Sequence, residues 1–243
     1  MRHATMRGPA VTRSTLRQQI AEALRDEVLG GRLHPGREFT VREIADLYGV
    51  SATPVREALV DLSAQGLLES VQHRGFRVHE YSAEDYRGMV EARGMVADGI
   101  YRELTGRYTR GELPIPVAAL TAVRRRGEEA GRAACAGELT VLIGYDLRFW
   151  RELNSLFGNP YLAAFLDQLR VRCWVCAVPV LRRAEDLRGR LWGGHTGLVD
   201  ALLDGDPVRA HGVFSGYNAH ALTLLGPPPG GECAPGEGAA RGD

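Results

Sequence analysis

The chain has 243 residues, 30 of them basic and 30 acidic, so it is formally neutral. This length suits two domains, and an apolar content of 44% is enough to build real cores. The charge balance excludes a strongly basic nucleic-acid protein, so any reading of that kind must come from local pattern. No apolar run reaches the ~18 residues a membrane span needs, and the arginine-bearing N-terminus lacks the apolar core of a secretion signal. Four cysteines without a paired framework fit a reducing compartment. The expectation is a cytoplasmic protein with no membrane partner.

Residues 1–13 are expected to be a disordered tail, as is the Gly/Pro-rich stretch 226–243. Between them, Leu16, Ile20, Leu24 and Val28 share one face of a first helix, closed by Gly30-Gly31. Val41, Ile44, Ala45 and Tyr48 mark the apolar face of a short second helix, and Gly49 is its natural left-handed stop. Ser51 is a good N-cap for a third, and Pro54 sits in that helix's first turn, where a missing N–H costs little. Val55, Ala58, Leu59 and Leu62 give its buried side, and Gly66 ends it. Two helices joined by so short a turn must cross steeply, which is helix-turn-helix geometry. Leu67–Val71 and Phe76–His79 then read as two strands around Gln72-His73-Arg74-Gly75, a hairpin with a basic tip. The whole is a winged helix-turn-helix over residues 14–80.

Arg56 follows Ser51 and Thr53 on the side opposite Val55 and Leu59, so these three side chains are offered outward. Arg suits a bidentate contact with guanine, and hydroxyls suit phosphate oxygens. His73 and Arg74 would add charge from the wing, with Gly75 allowing close backbone approach. The expected partner is double-stranded DNA.

Helix follows helix from about residue 82 to 225. Ser82 caps one running from Glu84 to about Leu104. Pro114 or Pro116 opens the next, ending near Gly137. A third covers Leu139 to Leu156, and a fourth starts at Pro160 and reaches about Arg183, with a kink expected at Pro179. A fifth is expected from Ala184 to Leu203, weakened by Gly193-Gly194, and Asp206-Pro207 opens the last. No alternating strand pattern survives here. The predicted fold is therefore mainly α: a winged helix-turn-helix followed by an all-α bundle, with a core drawn from Val90, Leu142, Phe149, Leu162, Phe165, Leu169, Leu198 and Leu202. Arg124-Arg125-Arg126 and Arg182-Arg183 read as solvated helix faces. Cys173-Trp174-Val175-Cys176 is a single CxxC without a second pair, a weak metal signal, and its spacing within an apolar helix fits a buried face.

Gly31, Leu33, Pro35 and Gly36, then Arg42-Glu43-Ile44-Ala45, then Gly49 through Leu59, Gly66-Leu67-Leu68 and Arg74-Gly75-Phe76-Arg77-Val78 together resemble the DNA-binding domain of GntR-type bacterial transcription regulators. The resemblance implies a recognition helix in the major groove and a wing in the minor groove. Position by position, it implies DNA contacts at Arg42, Ser51, Thr53, Arg56, His73, Arg74 and Gly75. Ala52 stands where the family usually has arginine, which implies a shifted operator preference or weaker binding.

The second half resembles the ligand-sensing helical domain of the FadR-like (FCD) branch. The resemblance rests on Tyr145-Asp146-Leu147-Arg148-Phe149-Trp150, Gly158-Asn159-Pro160, and His195 followed by Asp206. In that branch an Asp and three His often hold a divalent metal such as zinc, nickel or manganese. Asp146 and His195 match two of those positions, but the others are Trp150 and Tyr217, with His220 one turn further on. Two readings stay open: a metal held by Asp146 and His195, or a metal-free pocket for a small organic acid or acyl effector, with Arg93, Asp146, His195, Tyr217 and His220 in its lining. The overall expectation is a homodimeric repressor of a short palindromic operator, controlled by that effector. The competing class is a metal-dependent enzyme or metal sensor built on the helical half. No nucleophile–base pair or phosphate loop supports catalysis.

Overall fold

The computed structural model describes residues 13–112 and 115–225; Pro114, the expected C-terminal tail and all of the expected N-terminal tail but Arg13, which begins the first helix, lie outside this range. The first unit runs α1 (Arg13–Leu29), β1 (Glu38–Phe39), α2 (Val41–Tyr48), α3 (Ala52–Ala64), β2 (Leu68–Val71) and β3 (Gly75–Val78). The cap of α2 is a reciprocal pair. Thr40 Oγ1 accepts from the Glu43 amide at 3.1 Å, while the Glu43 carboxylate accepts from the Thr40 amide at 2.6 Å. Gly49 ends α2 with φ 64°, a left-handed turn whose amide bonds back to Ala45 and Asp46. Val55, Ala58, Leu59 and Leu62 are fully buried, so the apolar side of α3 faces its own domain.

The sheet has three strands in the order β1-β3-β2, all antiparallel. Leu68 faces Val78 and Val71 faces Gly75, so β2 and β3 form the hairpin. The sequence reading missed β1, which spans only two residues and has no periodicity to detect. Phe39 pairs with Phe76, and its carbonyl lies 2.5 Å from where a Cβ on Gly75 would be. Gly75 also has φ 121°. Its lack of a side chain is thus already required by the packing of the wing on β1.

The second unit comprises α4 (Ala83–Thr109), α5 (Val117–Ala136), α6 (Leu139–Ser155), α7 (Pro160–Leu181), α8 (His195–Leu203) and α9 (Pro207–Thr223). Ser82 and Asp85 cap α4 reciprocally, Asn159 caps α7 and Asp206 caps α9. Small residues let helices approach closely on α5. A Cβ on Gly127 would lie 3.0 Å from His195 and 3.2 Å from Phe149, and Ala130, Ala133 and Ala134 continue the buried stripe.

Two expectations fail here. The fifth helix does not start at Ala184: residues 182–194 form turns, and α8 begins only at His195. Gly189 turns left-handed, and the Gly193-Gly194 pair that was read as a weak point is where helix has not yet begun. A Cβ on Gly194 would sit 2.8 Å from the Trp192 ring, so this segment lays Trp192 against bare backbone. Phe165, expected in the core, is 42% exposed, because the buried stripe of α7 runs through Leu166, Leu169, Cys173 and Trp174. Leu162 is only half-buried.

The two units share one apolar core. A single cluster runs from Ile20 and Leu24 of α1 through the winged helix to Val175 and Val178 of α7. Polar bonds reinforce the junction at the end of α3: Arg172 Nε donates to the Gln65 carbonyl at 3.1 Å, and the Tyr81 hydroxyl donates to the Gly66 carbonyl at 2.7 Å.

Candidate functional sites: a basic helix end and a buried arginine cluster

Ser51 occupies the N-cap position of α3, with extended φ −74° and ψ 155°, but its side chain makes no capping hydrogen bond. Its hydroxyl therefore remains free, beside the first-turn amides of a helix whose dipole attracts anions. Ser51, Ala52, Thr53 and Arg56 are all exposed, directly across α3 from buried Val55, Ala58 and Leu59. Arg42 on α2 is 91% exposed and only loosely approached by Asp46 at 3.9 Å. His73 and Arg74 are exposed at the tip between β2 and β3, where His73 adopts φ 62°. Gly75 is half-buried at the start of β3. The exposed members, Ala52 apart, carry hydroxyl, imidazole and guanidinium groups, chemistry suited to phosphate and base edges.

The second site lies inside the bundle. Asp146 of α6 is buried, and both of its oxygens are occupied. Oδ1 accepts from Trp150 Nε1 at 2.9 Å and lies 3.0 Å from His195 Nε2; Oδ2 accepts from Trp174 Nε1 at 2.8 Å. Burial alone would push this carboxyl up. The hydrogen bonds from His195 and Trp174 and the nearby Arg170 charge outweigh burial and hold it below its usual range. Asp146 is thus an ionised acceptor, and His195 presents Nε2–H to it.

Above this group sit two buried guanidiniums. Arg93 Nε donates to Asn218 at 2.8 Å, and Nη1 donates to the Tyr217 hydroxyl at 3.1 Å. Arg170 Nη1 donates to the same hydroxyl at 2.6 Å, and its guanidinium lies 3.9 Å from the centre of the Trp150 ring. Arg93, Asp146, His195 and Tyr217 therefore converge, as expected. His220 makes no hydrogen bond to Asp146, although both line one cavity with Arg93, Leu142, Trp174 and Trp192.

Sequence reasoning missed Arg170 and Trp174 as members of this site, and placed Trp150 only where the family has a metal ligand. A signal was present: Arg170 falls on the stripe Leu166, Leu169, Cys173, Trp174 and Ala177, where a charge on an apolar face demands a partner.

The donor set does not fit a divalent metal. Both Asp146 oxygens and the His195 Nε2 proton are committed to one another or to indoles, and two guanidiniums stand beside them. Among the described residues no three His, Cys, Asp or Glu side chains cluster closely enough to hold one. Cys173 is buried and Cys176 half-buried, and burial pushes the Cys176 thiol up to about 12, far from a reactive thiolate.

A winged helix with an open recognition-helix end, joined to a six-helix bundle around a buried polar site, defines a DNA-binding regulator. Residues 16–78 match the family of bacterial regulatory proteins named gntR, and residues 88–215 match the FCD domain. The chain belongs to the GntR family, in its FCD branch, and is a transcription regulator.

It is 29% identical over 219 residues to the "Probable D-xylose utilization operon transcriptional repressor" of Paenarthrobacter nicotinovorans, spanning 88% of this chain and 86% of that one. It is 28% identical to an uncharacterised HTH-type transcriptional regulator of Mycobacterium tuberculosis, covering 88% and 91% of the two chains. Among solved structures, E. coli McbR/YncC superimposes with a TM-score of 0.71 at 21% identity, over 86% of this chain and 96% of that one. A GntR regulator from Rhodococcus sp. RHA1 gives 0.62 at 21% identity, over 87% and 98%. Among the described residues no helix is long and apolar enough to cross a membrane.

Proposed function

We propose that this regulator is a repressor that binds a short palindromic operator as a homodimer and is controlled by a small molecule held in its helical bundle. The observation that carries the DNA half is the open end of α3, where Ser51, Thr53 and Arg56 stand exposed opposite a fully buried apolar side. One such helix reads only a few base pairs, so a two-fold pair of chains is needed to read a palindrome. A surface suited to pairing is the groove between α4 and the α6–α7 corner, lined by Met95, Ile100, Phe157, Leu162 and Leu166.

Helix α7 supports the control half, because it enters both units. Arg170, Cys173 and Trp174 face the buried site, while Arg172 bonds the carbonyl of Gln65 at the end of α3. A shift of α7 on ligand binding would turn the recognition helix, and two-state coupling of this kind typically amounts to ~1–3 kcal/mol. Selection of bound fragments from a genomic library by the purified full chain, followed by footprinting, tests the operator. A palindromic consensus protected on two successive major grooves is the expected result; sequence-independent binding would refute it.

A further inference from the structure

Ser51, Thr53 and Arg56 turn hydroxyl and guanidinium groups outward at the start of α3, but Ala52 among them offers only a methyl group. It is exposed, and it occupies the first position of the helix. The domain's own core does not use that methyl, because the buried side of α3 is built from Pro54, Val55, Ala58, Leu59 and Leu62. The Ser51 side chain makes no capping bond, so the first turn is left open around Ala52.

Ala52 and Arg56 are four residues apart in one helix, so they share a face and stand about 6 Å apart along its axis. Base pairs of a duplex succeed one another every ~3.4 Å. Where Arg56 meets one base pair, the Ala52 methyl therefore meets another, one or two steps away. A methyl group neither donates nor accepts a hydrogen bond. Against the polar edges of guanine, adenine or cytosine it would displace water and supply no partner in return. In the major groove only thymine presents an apolar group of its own, the C5 methyl, and two methyls in contact remove each other from water.

We propose that Ala52 is a specificity-determining residue that selects thymine in each operator half-site, through the C5 methyl, beside the base pair met by Arg56. The inference rests on the reading of α3 as the sequence-specific element of a palindromic operator, and it adds the base and the group on that base which is recognised. The neighbours make so short a side chain effective. The Ser51 and Thr53 hydroxyls suit phosphate oxygens, and contacts of that kind fix the register in which the Ala52 methyl comes close to a base. Val60 is the other apolar group on the exposed side of α3, 54% exposed. It lies about 12 Å further along the axis, so it meets a different base pair.

The test begins with duplexes selected from a random library by the full chain. Each thymine of the consensus is then replaced singly by deoxyuridine, which removes the methyl and leaves the pairing edge intact, and affinity is measured by fluorescence anisotropy at fixed salt. One thymine per half-site should lose about fourfold in affinity on demethylation, the factor that one buried methyl group is worth. Changing both half-sites together should lose about 15-fold. At the same position, 5-methylcytosine should bind about fourfold better than cytosine. In Ala52→Gly these methyl effects should vanish. If that variant melts without cooperativity, Ala52→Ser takes its place, since it keeps a side chain at the helix start and sets a hydroxyl against the methyl. A consensus with no methyl-sensitive thymine would overturn the inference and leave the operator reading intact. A methyl effect that persists in both variants would also overturn it, and would pass the contact to Thr53 or Val60. Binding without any consensus would remove the operator reading, and this inference with it.

Discussion

Arg56 stands where a helix end meets solvent, and that placement separates two kinds of contact. A side chain reading a guanine edge contributes discrimination, whereas one touching phosphate contributes affinity for any sequence. Arg56→Ala is expected to cost ~1–3 kcal/mol against operator and much less against random duplex, as measured by fluorescence anisotropy on both. Equal losses would reassign Arg56 to the backbone. Gly75 makes the opposite case. Its φ of 121° and the Phe39 carbonyl 2.5 Å from a would-be Cβ show that the wing itself needs glycine there. Gly75→Ala should lower stability by about 1–3 kcal/mol in a chemical melt, even with no DNA present. The exposure of Arg56 was legible from residues alone, because Val55, Ala58 and Leu59 declare the opposite face. The reason for Gly75 was not, since it depends on a two-residue strand 36 positions upstream that has no pattern of its own.

Among the elements, α6 and α7 carry the buried chemistry. Asp146 gathers three donors, and removing its charge leaves Arg170 against the Trp150 ring and Arg93 against Tyr217 without that buried carboxylate. Asp146→Asn should destabilise the chain by about 3 kcal/mol or more at neutral pH. The sign with pH follows from the depressed carboxyl. The stabilisation from ionised Asp146 is present above its ordinary value of 3.8 and is lost as pH falls through the lower folded value, so the gap between variant and parent should close only in that acid range. Denaturant unfolding at stepped pH checks this; a gap already closing near pH 6 would assign the effect elsewhere. Helix α7 also reaches Gln65 through Arg172. Arg172→Ala should keep ligand affinity within about twofold while reducing the ligand's effect on operator binding, an effect of ~1–3 kcal/mol in the parent. Undiminished coupling in that variant would place the transmission outside this bond. The helical period revealed these elements, their glycine stops and their caps. It misplaced the start of α8, because Ala184–Leu187 continue an apolar rhythm that three glycines then interrupt.

At the scale of the whole molecule, the winged helix and the bundle share an apolar core across α1 and α7, so they are expected to melt together rather than in two steps. Pairing of two chains is the remaining question of assembly. Met95, on α4 and lining the groove proposed for pairing, is 73% exposed. Met95→Glu should shift light-scattering mass toward the single chain and weaken binding to a full palindrome far more than to a half-site. Unchanged mass would move the interface elsewhere.

Local pattern alone determined the winged helix, the helical second half, and which side of α3 faces outward, because each depends on spacing within about two turns of chain. Only the tertiary structure decided what the bundle's polar residues are for. Arg93, Asp146, Arg170, His195 and Tyr217 lie on five different helices, and whether their charges cancel depends on distances that no interval in the sequence encodes.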